Sequence, residues 1–411
     1  MKRGSGRMTQ EFEISLLRLR VLTVSEANCY QTRSRLPDDL DSYLTDLKES
    51  KMTMETRFSI GRRLLITAVA GLVVLVLSHK GWSQGCVVAR SSVPVLSSQA
   101  LTGISDIRPE GESWLSPKRW EIGFGYRNLH SHRHFVGSEE QNARKEEGTE
   151  VNNQIHLLDF SVAYHVSARW SLAMSVPVSF NDRWSQRTPS QVTHANGIGD
   201  MNVGVRMWVL KPPTESRQNI SIGFGVKLPT GNPGVTNVVN GETRVVDQSI
   251  QLGDGAYGLS LDAQAFKGVG FATFFASGIY LINPKVNNGV LTGRSRPSEA
   301  IMSVADEYLY RSGVILPTPK VRGLWFSLGI RGEGIPVRDL FGASTGFRRP
   351  GVALSLDPGF IYTRGKDQWS INVPVAMYRN RKVSVPDIMG NRHGDAAFAD
   401  QFFLVSYARR F

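Results

Sequence analysis

The feature that most restricts this chain is a rhythm. From Lys118 onward, stretches with apolar residues at alternate positions are joined by connections that are long and short in turn, beginning with a long one. About twelve stretches can be read, near 118–129, 155–166, 168–180, 197–209, 218–228, 254–266, 270–281, 302–315, 321–332, 349–363, 367–380 and 398–411. A period of two marks a strand with one apolar face. "WSLAMSVPVSF" sets Trp170, Leu172, Met174, Val176, Val178 and Phe180 on one side. "NISIGFGVKL" does the same with Ile220, Ile222, Phe224, Val226 and Leu228, and the opposite sides carry Ser, Gly, Ala, Asn and Lys. The stretches near 270–281 and 302–315 leave their parity open.

Long connections run near 130–154, 181–196, 229–253, 282–301, 333–348 and 381–397, whereas the short ones are "VSA", "KPPTESR", "KGVG", "PTPK" and "RGKD". A secreted, soluble β sandwich, the competing class, has no use for this alternation. An up-and-down antiparallel transmembrane β-barrel of about 12 strands does, with short periplasmic turns and long external loops. The expected fold is therefore all-β, and each stretch has about the length a tilted strand needs to cross a bilayer. In that topology Trp120, Trp170 and Trp369 fall at the periplasmic ends of ascending strands, and Phe411 ends a descending strand at the same level. Together they read as an aromatic girdle at the interface with outer-membrane lipid. The ending "DQFFLVSYARRF" places Phe403, Val405, Tyr407 and Phe411 on one face. It resembles the C-terminal signature of bacterial outer-membrane barrels, which implies the barrel-assembly machinery as a partner; Arg409 departs from that pattern.

A mean hydropathy of −0.19 does not suit a helical membrane protein. Barrels escape that test because only alternate residues face lipid. The net charge of +12 comes without a basic helix or a Lys/Arg cluster interleaved with aromatics, so no nucleic-acid partner is expected. One long apolar run, Leu64 to Leu77, is about 14 residues, too short for a spanning helix, and Arg57, Arg62 and Arg63 precede it. With the small residues Ser83 and Gly85 just before Cys86, it reads as a signal peptide. The chain thus divides into a spurious or disordered extension (1–51), a secretory signal peptide (52–85), a periplasmic segment (86–117) and an outer-membrane barrel (118–411). Lipidation of Cys86 is an alternative to simple cleavage. Cys29 lies upstream of the signal, so the exported part keeps Cys86 alone and forms no internal disulfide.

Three segments resemble a family. "NGIGDMNVGVRMWVL", "ISIGFGVKLPTG" and "QLGDGAYGLSLDAQAFKG" are similar, in order and spacing, to the transporter-type outer-membrane barrels named after the meta-pathway of phenol degradation. The resemblance covers about 197–281. It implies a porin-like transporter of a Gram-negative outer membrane that moves small compounds, often aromatic or apolar ones. Passage is expected to be passive, because the sequence offers no nucleotide site, no helical bundle to rock and no plug domain to couple to an energy source. It assigns no transport residues.

Parity alone places Glu121, Arg127, Asp159, Asp200, Asn202, Arg206, Lys227, Asp262, Gln264, Arg331 and Asn372 on the inward face as pore-lining residues. Charges of both signs there form either a ladder that selects a small-molecule permeant or structural pairs that fill a narrow barrel. The second possibility leaves room for a structural or adhesive barrel without a conducting pore. His165 and Ser167 in "YHVSARW" have the spacing of barrel-type lipid hydrolases, but they fall in a periplasmic turn, so no enzymatic activity is expected. His130, His132 and His134 in "HSHRH" read as the head of a solvated external loop without a neighbouring carboxylate. No metal and no cofactor is expected.

Overall fold

The computed structural model describes residues 119–210, 217–319 and 321–411, and besides these only the backbone of Gln84–Gly85. The signal peptide and the segments on either side of it, expected over 1–51, 52–85 and 86–117, otherwise lie outside the described residues.

The strands are β1 (Arg119–Val136), β2 (Val151–His165), β3 (Trp170–Ser185), β4 (Thr188–Ile198), β5 (Met201–Trp208), β6 (Gln218–Leu228) and β7 (Gly258–Val269). They continue as β8 (Ala272–Ile282), β9 (Glu307–Pro317), β10 (Leu324–Ile335), β11 (Gly351–Arg364), β12 (Asp367–Asn372), β13 (Val375–Arg381) and β14 (Ala396–Arg410). Neighbours pair antiparallel all the way round, and β14 returns to β1 from Glu121↔Arg410 to Phe135↔Ala396. The backbone N–H of Phe411 adds a bond to the Trp120 carbonyl at 2.9 Å. β4 with β5, and β12 with β13, are single staves with a break. The wall is thus a closed, up-and-down barrel of twelve antiparallel strands.

Both breaks have the same cause. Proline has no N–H to give its neighbour. Pro177 in β3 stands opposite the break at Gly199–Asp200, and Pro358 in β11 stands opposite the break at Val373–Pro374. Each proline carbonyl still accepts one bond, from Gly199 N–H at 2.8 Å and from Val373 N–H at 3.0 Å. The tight turns follow from sequence just as directly. β7 to β8 and β11 to β12 are two-residue hairpins that begin on Gly270 (φ 57°) and Gly365 (φ 58°), the left-handed backbone that glycine accepts without strain.

Along each strand, alternate residues are exposed and buried. Ile122, Phe160, Leu172, Ile222, Phe274 and Ile330 belong to an outward belt, each about half exposed or more. An apolar surface this wide is what a bilayer covers. Burial also settles the two open parities: Phe275, Leu309 and Ile315 point in, while Phe274 and Tyr310 point out.

The strands differ from expectation at their external ends. The connection expected over 181–196 is a hairpin instead: β3 runs to Ser185, β4 resumes at Thr188 opposite it, and after an irregularity the two pair again from Arg183↔Thr193. These extensions rise above the apolar belt and are polar on both faces, so the period-two signal fades while backbone pairing continues. For the same reason His130, His132 and His134 lie in β1 and not in a solvated loop. His134 Nδ1 sits 2.6 Å from Asp395, and His132 Nε2 sits 3.8 Å from Asp400, so carboxylates are nearby after all. Within the loop after β6, residues Thr236–Val239 and Glu242–Val245 form a small hairpin on Asn240–Gly241 (φ 56° and 82°).

Candidate functional site

The charges that parity turned inward are buried or nearly so, and all but Asp159 meet in groups drawn from separate strands. Arg127 of β1 reaches Glu333 of β10 at 3.1 Å, and Arg331 grips the other oxygen of the same carboxylate at 2.8 Å. Both guanidiniums lie over the Phe402 ring, 4.5 and 5.3 Å from its centroid. Arg206 bonds Asp262 at 2.9 Å, across the side-chain-free position of Gly223. Lys227 is bonded to Asp254 and stands 3.9 Å from Asp200, whose carboxylate accepts the backbone N–H groups of Gly231 and Asp254 at 2.9 and 3.0 Å. Asn372 donates to Asp357 at 3.0 Å, and Arg311 holds the second oxygen of that carboxylate at 2.6 Å. Glu121 accepts from Arg410 at 2.6 Å, with His165 3.7 Å away.

Three of the predicted residues stand apart from these groups. Asp159 is 2% exposed and Gln264 is 3% exposed, and neither side chain has a hydrogen-bond partner among the described residues. Asn202 is half-buried and turns its amide oxygen toward the space above Gly225.

At the turn end the lumen is filled by apolar side chains that the sequence reading did not assign. Trp208, Phe266, Phe275, Ile315 and Ile361 make one buried cluster, with Trp325 packed against it. The Trp208 and Phe266 rings meet edge to face at 5.9 Å. Phe275 has room because the residues across from it on the next two strands, Gly313 and Gly329, have no side chain: a Cβ at Gly329 would stand 3.4 Å from the ring. A second apolar cluster, Leu129, Ile155, Ala399 and Phe402 with Leu404 beside it, lines the lumen nearer the loops.

The external loops close the other end with ions. Asp247, at the start of the short turn Gln248–Ile250, accepts two bonds from Arg349 at 2.9 and 2.8 Å, with Arg183 at 3.5 Å and Arg294 at 3.7 Å. Burial alone would push this carboxyl up, but Arg183, Arg349 and Arg294 hold it well below the usual carboxylate range. Arg294 and Arg349 also pack on the Phe347 ring, at 3.9 and 4.7 Å. Arg348 and Asp339, each 1% exposed, form a bidentate pair at 2.7 and 2.6 Å.

The outer features lie at the short-turn end. Trp120, Trp170, Trp369 and Phe411 are exposed on the outer surface, with Trp120 against Tyr164 and Trp369 between Tyr362 and Tyr407. Phe403 and Val405 face outward, while the Tyr407 hydroxyl donates to Asp367 at 2.7 Å. Ser167 serves the β2–β3 turn, its hydroxyl accepting the N–H groups of Arg169 and Trp170 at 3.2 and 3.0 Å.

Several of these residues had a readable cause for being missed. Asp357 lies inside the expected strand 349–363 but was not assigned, and Arg311 lies in a stretch of open parity. Glu333 is one residue past the expected strand end. Only "NG" at 240–241 was a clear signal left unused.

No family model matches the sequence, and no curated protein matches it. Among solved structures, an outer membrane channel from Pseudomonas putida F1 superposes with a TM-score of 0.51 at 12% identity, over 74% of this chain and 100% of that one. The translocator domain of the autotransporter NalP from Neisseria meningitidis gives 0.37 at 12% identity, over 77% of this chain and 95% of its own. The P. putida toluene transporter TodX gives 0.35 at 9%, over 75% and 92%. The first likeness is one of fold, and the other two are too distant to carry an argument.

Proposed function

We propose that this chain is a passive channel of the bacterial outer membrane for small compounds, aromatic and apolar ones included, of the transporter-type kind that residues 197–281 resemble. The observation that carries this reading is the lining of the lumen. Apolar clusters occupy two levels of it, Trp208 with Phe275 at the turn end and Leu129 with Phe402 nearer the loops. An apolar solute gains about 25 cal/mol for each Å² it removes from water, so such clusters favour it over a sugar of equal size. The fold likeness to an outer membrane channel agrees with this. Lipid contacts the outward belt, and the barrel-assembly machinery reads the face that carries Phe403, Val405, Tyr407 and Phe411. Proteoliposomes tested with a panel of small aromatics, sugars and amino acids should pass the aromatics fastest.

A second reading has its own support: most lumen charges are paired and buried, as in a structural or adhesive barrel. Absence of flux and conductance for every solute, even after residues 86–117 are deleted, would favour it and end the channel reading.

A further inference from the structure

The one charged lumen residue predicted by parity that makes no ion pair among the described residues is also one of the most buried. Asp159 is 2% exposed, and neither carboxylate oxygen has a hydrogen-bond partner among the described residues. Elsewhere in the lumen a carboxylate is answered by an arginine or a lysine, as Glu333, Asp262 and Asp357 show. A buried carboxylate with no counter-charge is an expensive arrangement. Its surroundings supply further oxygens but no cation.

The register shows what stands beside it. Ser161, two residues along the same face of β2, is directly opposite Ser175 of β3, and Ser175 is directly opposite Asn202 of β5. Ser175 is fully buried, and its hydroxyl has no partner among the described residues. Directly opposed side chains have Cβ atoms about 5 Å apart, so these groups form one continuous patch. On the other flank, Gly125 is opposite Asp159 and Gly123 is opposite Ser161. The wall there presents backbone in place of two side chains, and the Ser161 hydroxyl leans into the space above Gly123. Pro177, the other cross-strand neighbour of Asp159, brings no donor.

We propose that Asp159, Ser161 and Ser175 form a binding site for a monovalent alkali cation inside the lumen. Hard oxygens suit such an ion. One carboxylate among neutral hydroxyls balances a single positive charge, which favours sodium or potassium over a divalent ion. The ion supplies the counter-charge that Asp159 lacks, and it does so whether or not solutes pass through the barrel.

The test uses the full-length protein in detergent and reads its heat-induced unfolding on gels in sodium, potassium or choline chloride at equal ionic strength. Choline matches the charge but is too bulky for the site. The wild-type midpoint should be several degrees higher in sodium or potassium than in choline. Asp159→Asn should remove that difference, and Ser175→Ala, a milder change, should shrink it. If the wild-type midpoint is the same in all three salts, the carboxyl is neutralised by a proton and the proposal falls. It falls equally if both variants keep the full difference. Because this readout needs no flux, it can fail while the channel reading stands, and the reverse.

Discussion

The two ends of the lumen are lined by opposite chemistries. At the turn end, Trp208, Phe266, Phe275, Ile315 and Ile361 exclude water by volume. At the loop end, closure depends on arginine–carboxylate contacts, with Asp247 among three guanidiniums and Arg348 locked on Asp339. The difference follows from what each end is attached to. The turns there are short, two of them of two residues, and hold Phe266, Phe275 and Ile361 close to the strand ends, so rings meet at fixed spacing. Long loops have no such frame, and they are fixed by directional, bidentate bonds. A plug of volume responds to cavity-forming mutations, and a clasp of charge responds to acid or to loss of one partner.

The contrast can be broken most forcefully at the plug. Trp208→Ala combined with Phe275→Ala should cost about 3–5 kcal/mol per site, less than additively because the two share a cluster, and should raise single-channel conductance. Gel-shift midpoints and planar-bilayer recordings would show both effects. Next comes Arg348→Ala, which strands a carboxylate that is 1% exposed. Breaking a buried pair costs about 3 kcal/mol. Here the plug should stay closed, so the midpoint should fall without any gain in conductance.

A smaller effect is expected at Asp247. Asp247→Asn should weaken the clasp by about 2 kcal/mol, the scale of a charged hydrogen bond, and expose residues 229–257 to protease. The pH dependence has a definite sign. A carboxyl held below its unfolded value stabilises at every pH above that unfolded value and loses its contribution as pH falls through the lower, folded one. Protease resistance of this loop should therefore persist in wild type below about pH 4, where ordinary carboxylates have begun to protonate. Smallest of all is Arg409→Ala. The Arg409–Asp367 contact at 3.2 Å is exposed, so the midpoint should not move measurably.

The wall was largely legible from sequence, because lipid outside and side chains inside impose a period of two that nothing else in the chain imitates. Trp170 to Phe180 and Ile220 to Leu228 gave their strands and faces directly. What could not be read has physical reasons. Thr188 to Ala195 is largely polar on both faces, so it read as a loop although its backbone pairs with β3 at Thr188 and again from Thr193 to Ala195. Partners across the lumen, such as Arg127 and Glu333, are 206 residues apart, and parity states only that each points inward, not what it meets. The apolar plug escaped for a different reason: Trp208 and Phe266 share the inward parity of Arg206 and Gln264 but carry no charge to draw attention, and Phe275 lies in a stretch of open parity.

That closure also bears on how the barrel forms. Every seam but one joins strands that are neighbours in the chain, so each needs only a local loop to close. The exception is β14 on β1, where Arg410 meets Glu121. Closing a loop of that length costs only modestly more than closing a short one, since the entropy grows with the logarithm of length. It still has to wait for the hairpins to bring its edges together, so the last seam should set the pace of folding. With the two edges joined there by the Phe411–Trp120 bond, the order of hairpins around the ring has no privileged beginning. A circular permutant of the barrel, linked across this seam and opened at the Gly365–Lys366 turn, would specify the same wall and move the slow step to a different edge.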